Sequence, residues 1–415
     1  MPTLLLLSAL FASTLPLAAA DRDDSEPGLA LPPPPEGMRR LSLREERARV
    51  EAAQSGVSKV RHARHFDAAP FAAVAGIPIE LAPAVGDQIA HYQGAGRAGI
   101  RTLMQRMTRY LPLMQPVLAS HELPLELIAV AMIESGLTTD AVSHAQAAGP
   151  WQFVPSTGAA YGLRQTFWVD ERRDPVRSTD AAARFLKELH ERFGHWYLAL
   201  ASYNTGGARV GRVIASTGTR DFWKLRHRLS EETRNYVPRI IAVALIARHP
   251  AAFGFSHQEF SYLEPLAFEE ALLEEQVGLA FAARAVGTTT ARLRELNPEL
   301  LRWLTPPASQ EEPYRLRVPP GTARRLQKKL DKVSRAERLN AKLHRVARGD
   351  SVSRLAQRYR THPQAIRDAN RLESDRHLRL DARIVVPVPP GPALATAERR
   401  PGAVKPPKRQ ARRAP

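Results

Sequence analysis

Apolar residues recur at helical intervals through the middle of the chain. Leu103, Met107, Tyr110, Leu111 and Met114 share one face of a helical stretch within Ile79 to Ser120, which Pro112 and Pro116 are expected to kink or punctuate. The segment LPLELIAVAMIESG, Leu123 to Gly136, reads as a helix with Pro124 in its first turn, Glu126 answering the positive helix end and Gly136 as a stop. Further short helices follow to about Pro250, separated by Gly and Pro, and few runs alternate as strands do. One is expected to start around Ser178-Thr179-Asp180, with Ala182, Phe185, Leu186 and Leu189 on one face, and to end near Gly194. Another runs from Tyr236 to Ala247. The pattern predicts a mainly α core, large enough to bury a real interior.

The last third repeats itself. Leu355 to Asn370 aligns without a gap on Ala282 to Asn297, placing Ala356 on Ala283, Thr361 on Thr288, Ile366 on Leu293, Arg367 on Arg294, Asp368 on Glu295 and Asn370 on Asn297. Each copy closes on a strand-like run, Tyr314 to Val318 and Arg383 to Val386. The second copy opens with a strand at His344-Arg345-Val346 and a turn at Gly349-Asp350, where Glu274 to Gly278 holds the place in the first. The unit is strand, two short helices, strand: a small α+β (βααβ) module. Thr322 to Lys342 reads as a charged helical spacer between the copies.

The ends carry other signals. Leu4 to Leu17 is apolar and uncharged, Ala18 to Ala20 supplies small residues, and Asp21 to Asp24 turns abruptly polar, as at the cleavage site of an export signal. The apolar run is short for a membrane span, although an uncleaved anchor is the alternative. Pro32 to Pro35 forms a stiff linker, Arg39 to Arg64 an exposed charged arm, and the segment beyond Pro389 a basic, Pro-rich tail with little to bury.

Composition sharpens this picture. The 415 residues include 44% hydrophobic and 25% charged positions, an ordinary globular balance. The net charge of +18, from 60 Lys and Arg against 42 Asp and Glu, favours an acidic partner such as a nucleic acid, an anionic lipid or an acidic wall polymer. No nucleic-acid motif accompanies the charge, and an exported protein sits away from DNA. The absence of cysteine excludes disulfides, thiolate metal sites, cysteine nucleophiles and a cysteine-borne lipid anchor.

Glu134 is the first candidate for chemistry. It stands in the last turn of its helix, where the helix dipole and nearby apolar side chains both disfavour the ionised carboxylate. A carboxyl so placed can donate a proton near neutral pH. Downstream come Gly149-Pro150-Trp151-Gln152, then Tyr203-Asn204-Thr205-Gly206, then Glu232-Thr233-Arg234-Asn235-Tyr236. With Glu134-Ser135, these four motifs in this order resemble the lytic transglycosylases with a soluble-lytic-transglycosylase-type, lysozyme-like domain, and look most like the subgroup of membrane-bound lytic murein transglycosylase D. The resemblance covers about Phe66 to Gly254, and the repeated unit resembles the LysM peptidoglycan-binding module.

That resemblance implies Glu134 as the single catalytic acid/base, with Ser135, Gln152, Tyr203, Asn204 and Tyr236 binding substrate. Each partner also has a plain structural reading: Tyr203 and Tyr236 as core aromatics, Asn204 as a turn former, Gln152 as a helix cap, Ser135 and Trp151 as packing. It implies cleavage of the MurNAc–GlcNAc β-1,4 bond of peptidoglycan to a 1,6-anhydro end, without cofactor or metal. Asp140, Asp170, Glu171 and Asp174 sit in loop-like stretches and read as helix caps or partners of Arg172 and Arg173. In the LysM copy, Gly349, Asp350, Ser351 and Asn370 are implied to hold glycan, chiefly through backbone groups.

The expected layout is a signal peptide over 1–20, a linker over 21–65, a lysozyme-like domain over 66–260, a degenerate LysM-like module over 261–320, a spacer over 321–342, a LysM domain over 343–390 and a tail over 391–415. The expected partner is peptidoglycan in the periplasm, with no nucleic acid and no lipid anchor. Two alternatives stay open: a goose-lysozyme-type hydrolase and a non-catalytic wall-binding scaffold.

Overall fold

The computed structural model describes residues 76–77, 80, 82–374 and 378–389, so the expected signal, linker and tail lie outside the described residues. The chain divides into two compact units, Met1–Phe268 and Glu269–Pro415. It is mainly α, with two small antiparallel sheets. No described helix is long and apolar enough to cross a membrane.

Among its described residues the first unit is built from helices, with isolated β-bridges only: α1 (Pro83–Gln93), α2 (Arg97–Ser120), α3 (Ile128–Ser135), α4 (Pro155–Ala160), α5 (Pro175–Phe193), α6 (Trp196–Thr205), α7 (Gly207–Thr217), α8 (Phe222–Leu225) and α9 (Glu231–Arg248). Helix α2 continues through Pro112 and Pro116, which therefore do not end it. An interior proline costs about 3 kcal/mol, while each buried Leu or Met contributes about 1.5–3 kcal/mol. Buried Leu103, Met104, Met107, Leu111, Leu113, Met114 and Leu118 therefore outweigh both rings. Helix α5 starts three residues before the expected Ser178, because Asp174 caps it by accepting from Val176 N (2.8 Å) and Arg177 N (3.0 Å), and Pro175 occupies the first turn. Helix α9 likewise starts before Tyr236, capped by Ser230. The expected helix from Leu123 opens as a 3₁₀ turn, Leu125–Leu127, and becomes α3 only at Ile128. Glu126 is buried there, paired with Arg248 Nη1 at 3.3 Å.

The second unit holds two βααβ modules. In the first, β1 (Glu269–Leu273) pairs antiparallel with β2 (Tyr314–Val318), with α10 (Leu279–Val286) and α11 (Thr290–Leu296) between them. Two further helices follow, α12 (Ala323–Leu330) and α13 (Arg335–Arg338). The second module repeats the plan with β3 (Ala341–Arg345), α14 (Val352–Arg358), α15 (Pro363–Asn370) and β4 (Arg383–Pro387).

The expected spacer is a correction. Leu326 and Leu330 of α12 are buried, and the Glu269 carboxylate accepts from Gly321 N (2.8 Å) and from Ala323 N, tying the start of α12 to β1. Lys342 belongs to β3 rather than to a helix.

The repeat has a shared pin. Asn297 donates to Leu293 O (2.7 Å) and Arg317 O (2.8 Å) and accepts from Arg317 N (2.8 Å). Asn370 donates to Ile366 O and Val385 O and accepts from Val385 N, each at 2.7 Å. Asn370 thus faces inward and not toward a glycan. Asn370→Ala is expected to destabilise the second module by about 2 kcal/mol, since three bonds are lost and half-buried backbone groups lose a partner. Hydrogen exchange at the Val385 amide, accelerated in the variant, checks this.

Candidate active site

Glu134 is placed by the abrupt end of α3. Gly136 adopts a left-handed φ of +61° that closes the helix, and its carbonyl accepts from Arg106 Nη1 at 3.0 Å. Arg106 Nη1 also donates to Thr138 Oγ1 at 2.7 Å, fixing the chain as it leaves the helix. Ser135 donates to Pro150 O (2.8 Å) and accepts from Thr138 N (3.2 Å), so it joins the helix end to the next motif instead of facing a ligand.

That motif is a tight turn. Gln152 N donates to Gly149 O at 3.2 Å, Gly149 has φ +80° and Gln152 has φ +50°. Trp151 is buried, with its indole N–H on Thr179 Oγ1 at 2.8 Å. The Gln152 side-chain amide donates to Gly149 O at 2.8 Å, and its Oε1 accepts no hydrogen bond among the described residues. Arg172 supports the turn from behind. It pairs with Asp170 (2.8 Å) and donates to Gln146 O (2.7 Å) and Phe153 O (2.9 Å). Glu171 pairs with Arg164 at 2.7 Å, and Asp174 is the α5 cap.

Tyr203, from α6, donates to Trp151 O at 2.8 Å and locks the turn onto that helix. Its ring packs on Phe185 (5.2 Å), which packs on Tyr161 (5.1 Å), forming an aromatic row. Tyr161 and Phe185 carry no motif signal; helical periodicity alone marks Phe185, and only as core. Asn204 is buried, with Nδ2 on Glu232 Oε1 (2.8 Å) and Oδ1 accepting from Thr233 Oγ1 (2.8 Å). Both ends of its amide thus hold the start of α9 rather than an open cleft.

From α9 the buried Tyr236 donates its hydroxyl to Glu134 Oε1 at 2.6 Å. The structure therefore brings Glu134 and Tyr236 together. It makes Ser135, Tyr203 and Asn204 the scaffold of that pair, and leaves Gln152 with a free acceptor.

The electrostatics follow from this enclosure. Burial raises the Glu134 pKa from 4.5 to about 7, the Tyr236 hydrogen bond opposes the rise, and the negative charge of Glu232 adds to it. Burial and the facing Glu134 charge hold the Tyr236 hydroxyl well above its usual range, so it stays a donor throughout. Burial, with the Glu134 charge, does the same to Tyr203. The pair is a carboxyl that can give up and take back a proton near neutrality, with a neutral phenol fixing one oxygen.

Glu232 opens the fourth motif, but the sequence gives it no role of its own. The structure puts it in the first turn of α9, where an acidic side chain ordinarily answers the helix dipole. Only the fold shows Asn204 holding it where its charge acts on Glu134. Glu232→Gln is expected to move the Glu134 titration to lower pH, bringing the alkaline fall of any Glu134-dependent rate down with it; a pH–rate profile checks this.

The same shift links to stability. A carboxyl whose folded pKa exceeds its unfolded value favours folding fully below pH 4.5, and that contribution disappears as pH rises to about 7. Glu134→Gln removes the burden of ionisation. It is expected to stabilise the protein at pH 8 by on the order of 3 kcal/mol, and to leave stability at pH 4 nearly unchanged. Thermal unfolding at the two pH values reads the difference.

Among the described residues, no cluster of His, Asp and Glu could hold a metal ion. In the second module Gly349 has φ +86°, Asp350 accepts from His344 Nε2 and Ala347 N, both at 2.8 Å, and Ser351 caps α14. The side chains of Asp350 and Ser351 thus shape their turn, leaving backbone groups for any ligand.

Residues 115–226 match the Transglycosylase SLT domain family, residues 267–335 the family "Lytic transglycosylase MltD, LysM-like domain", and residues 344–387 the LysM domain family. The chain is 37% identical over 180 residues to membrane-bound lytic murein transglycosylase D of Escherichia coli K12, covering 42% of this chain and 39% of that protein. It is 30% identical over 161 residues to membrane-bound lytic murein transglycosylase C of Glaesserella parasuis, covering 35% and 42%. Among solved structures, the 70 kDa soluble lytic transglycosylase of E. coli aligns at 21% identity with a TM-score of 0.31, over 37% of this chain and 26% of that one. The chain spans about two fifths of the length of the first curated relatives it matches. It is therefore a homologue of membrane-bound lytic murein transglycosylase D that carries an SLT domain, an MltD-type LysM-like domain and a LysM domain.

Proposed function

We propose that this chain is a periplasmic lytic transglycosylase of peptidoglycan, with Glu134 as its single acid/base. The observation that carries the reading is the half-buried Glu134 carboxyl, held by Tyr236 at 2.6 Å, whose pKa burial raises to about 7. The SLT-domain match at 115–226 supports it. Protonated Glu134 gives its proton to the glycosidic oxygen as the C1–O bond breaks. The acetamido carbonyl of the N-acetylmuramic acid supports C1 meanwhile. The C6 hydroxyl of the same sugar then attacks C1, and the Glu134 carboxylate takes the hydroxyl proton. A 1,6-anhydro end forms, no water is consumed, and Glu134 returns to its starting state. Substrate assistance of this kind departs from the usual two-carboxylate glycosidase plan. Gln152 Oε1 is the acceptor available to a sugar beside the carboxyl. The Gly349-Asp350-Ser351 turn contributes backbone contacts to N-acetylglucosamine units, and the basic protein is drawn to the carboxylates of the wall.

Glu232 favours a second reading. As a second carboxylate near Glu134, it could hold a water for hydrolysis, as in an inverting glycosidase. Digestion of purified peptidoglycan, with mass analysis of the fragment ends, separates the two. Anhydro ends, lighter than reducing ends by one water and absent with Glu134→Gln, are expected. Reducing ends make the chain a hydrolase, and no Glu134-dependent fragments leave it a wall-binding scaffold.

A further inference from the structure

In the second unit an open groove of about 830 Å³ lies where α10, α12, α13 and the start of β3 meet the end of β4. Its floor is apolar, with Phe281, Val333 and Val388. Its rim carries the cations Arg284, Lys329 and Lys342, all exposed and with no ion pair among the described residues. The one acidic group in the lining, Glu337, is committed to Ser334 through N (2.9 Å) and Oγ (2.8 Å). The walls are fixed before any ligand arrives. Asn340 and Val388 exchange backbone and side-chain bonds at 3.3 Å, Gly278 N donates to Arg338 O at 2.8 Å, and Arg338 pairs with Glu275 at 3.1 Å. Such preorganisation lowers the entropy lost on binding.

We propose that this groove binds an acidic peptide, the carboxylate-bearing stem peptide of the wall polymer, an identification that rests on the reading of the substrate above. Three cations over an apolar floor match a short chain that alternates methyl groups with carboxylates. The concave shape does not accommodate a flat anionic bilayer. The protein's own C-terminal segment, with Lys405, Lys408, Arg409, Arg412 and Arg413, carries the same sign of charge as the rim and does not complement it. The groove gives the second unit a handle on the peptide, distinct from the glycan-facing turn at Gly349.

The test uses the full chain carrying Glu134→Gln, titrated calorimetrically with a synthetic alanyl–γ-glutamyl–diaminopimelyl–alanine tetrapeptide and with its fully amidated form. The acidic tetrapeptide is expected to bind. Binding is expected to weaken about tenfold for the amidated form, for the triple variant Arg284→Ala, Lys329→Ala, Lys342→Ala, and on raising salt from 50 to 500 mM. Affinity for N-acetylglucosamine oligomers and the thermal midpoint are expected to hold in the triple variant, with Lys342→Glu as a single-site check. Absence of tetrapeptide binding, equal binding of the amidated form, or an unchanged triple variant overturns the proposal, as does groove-dependent binding of anionic vesicles without tetrapeptide binding. Anhydro ends in the digest with no tetrapeptide binding refute the groove alone; tetrapeptide binding with reducing ends refutes the transglycosylase reading alone.

Discussion

Glu134→Gln is expected to lower turnover of peptidoglycan by about 10³-fold or more while leaving substrate affinity and fold intact. General acid–base catalysis contributes 10²–10⁴-fold where one group serves one step, and here one carboxyl serves both departure of the leaving oxygen and activation of the C6 hydroxyl. Gln has the same shape and still accepts from the Tyr236 hydroxyl that meets Glu134 at 2.6 Å, so the pocket is not reorganised. The loss therefore appears in kcat rather than in KM. Steady-state release of soluble fragments, with pull-down of the variant on insoluble peptidoglycan, measures the two separately. A variant that keeps a tenth of the activity would remove Glu134 from the chemistry.

Gly149→Ala is expected to be the most destabilising single-methyl change in the first unit. Gly149 has φ +80°, and an added Cβ would lie 1.8 Å from the Arg172 carbonyl oxygen and 2.5 Å from its carbon. Arg172 cannot retreat, because its guanidinium is held by Asp170, Gln146 O and Phe153 O. Left-handed backbone alone costs Ala roughly 1–2 kcal/mol, and the collision with backbone raises the total to about 3 kcal/mol or more. Activity is expected to fall with it, since the turn that begins at Gly149 supplies the carbonyls that hold Ser135 and Tyr203. Gly194→Ala is the control: its φ of +70° is similar, but nothing lies within 4 Å of the added atom. Denaturant unfolding is expected to show a loss of only about 1 kcal/mol there.

What could be read from the chain beforehand was uneven, for physical reasons. The repeat could be aligned residue on residue because Asn297 and Asn370 perform the same closure of strand on helix. Their role as internal pins was not visible, since an inward and an outward asparagine look alike in sequence. Helix α12 passed for a solvated spacer because Leu326 and Leu330 are its only large apolar residues, yet two leucines four apart are enough to dock a short helix. The start of α5 was misplaced by weighing Ser178 and Thr179 above Asp174-Pro175, a stronger cap followed by a first-turn proline. At the site, Glu134 and Tyr236 were legible from motif order. The inward bonds of Ser135, Tyr203 and Asn204, and the charge of Glu232 on Glu134, depend on how α3, α6 and α9 meet, which no local pattern encodes.

Folding is expected to keep the Glu134 carboxyl protonated up to neutral pH. Carbon-13 NMR of glutamate side chains, recorded from pH 3 to 9 and assigned by difference against Glu134→Gln, reads that carboxyl alone. A midpoint near the value of about 7 is the predicted result. A midpoint near 4.5, the ordinary value for a solvated glutamate, would contradict it.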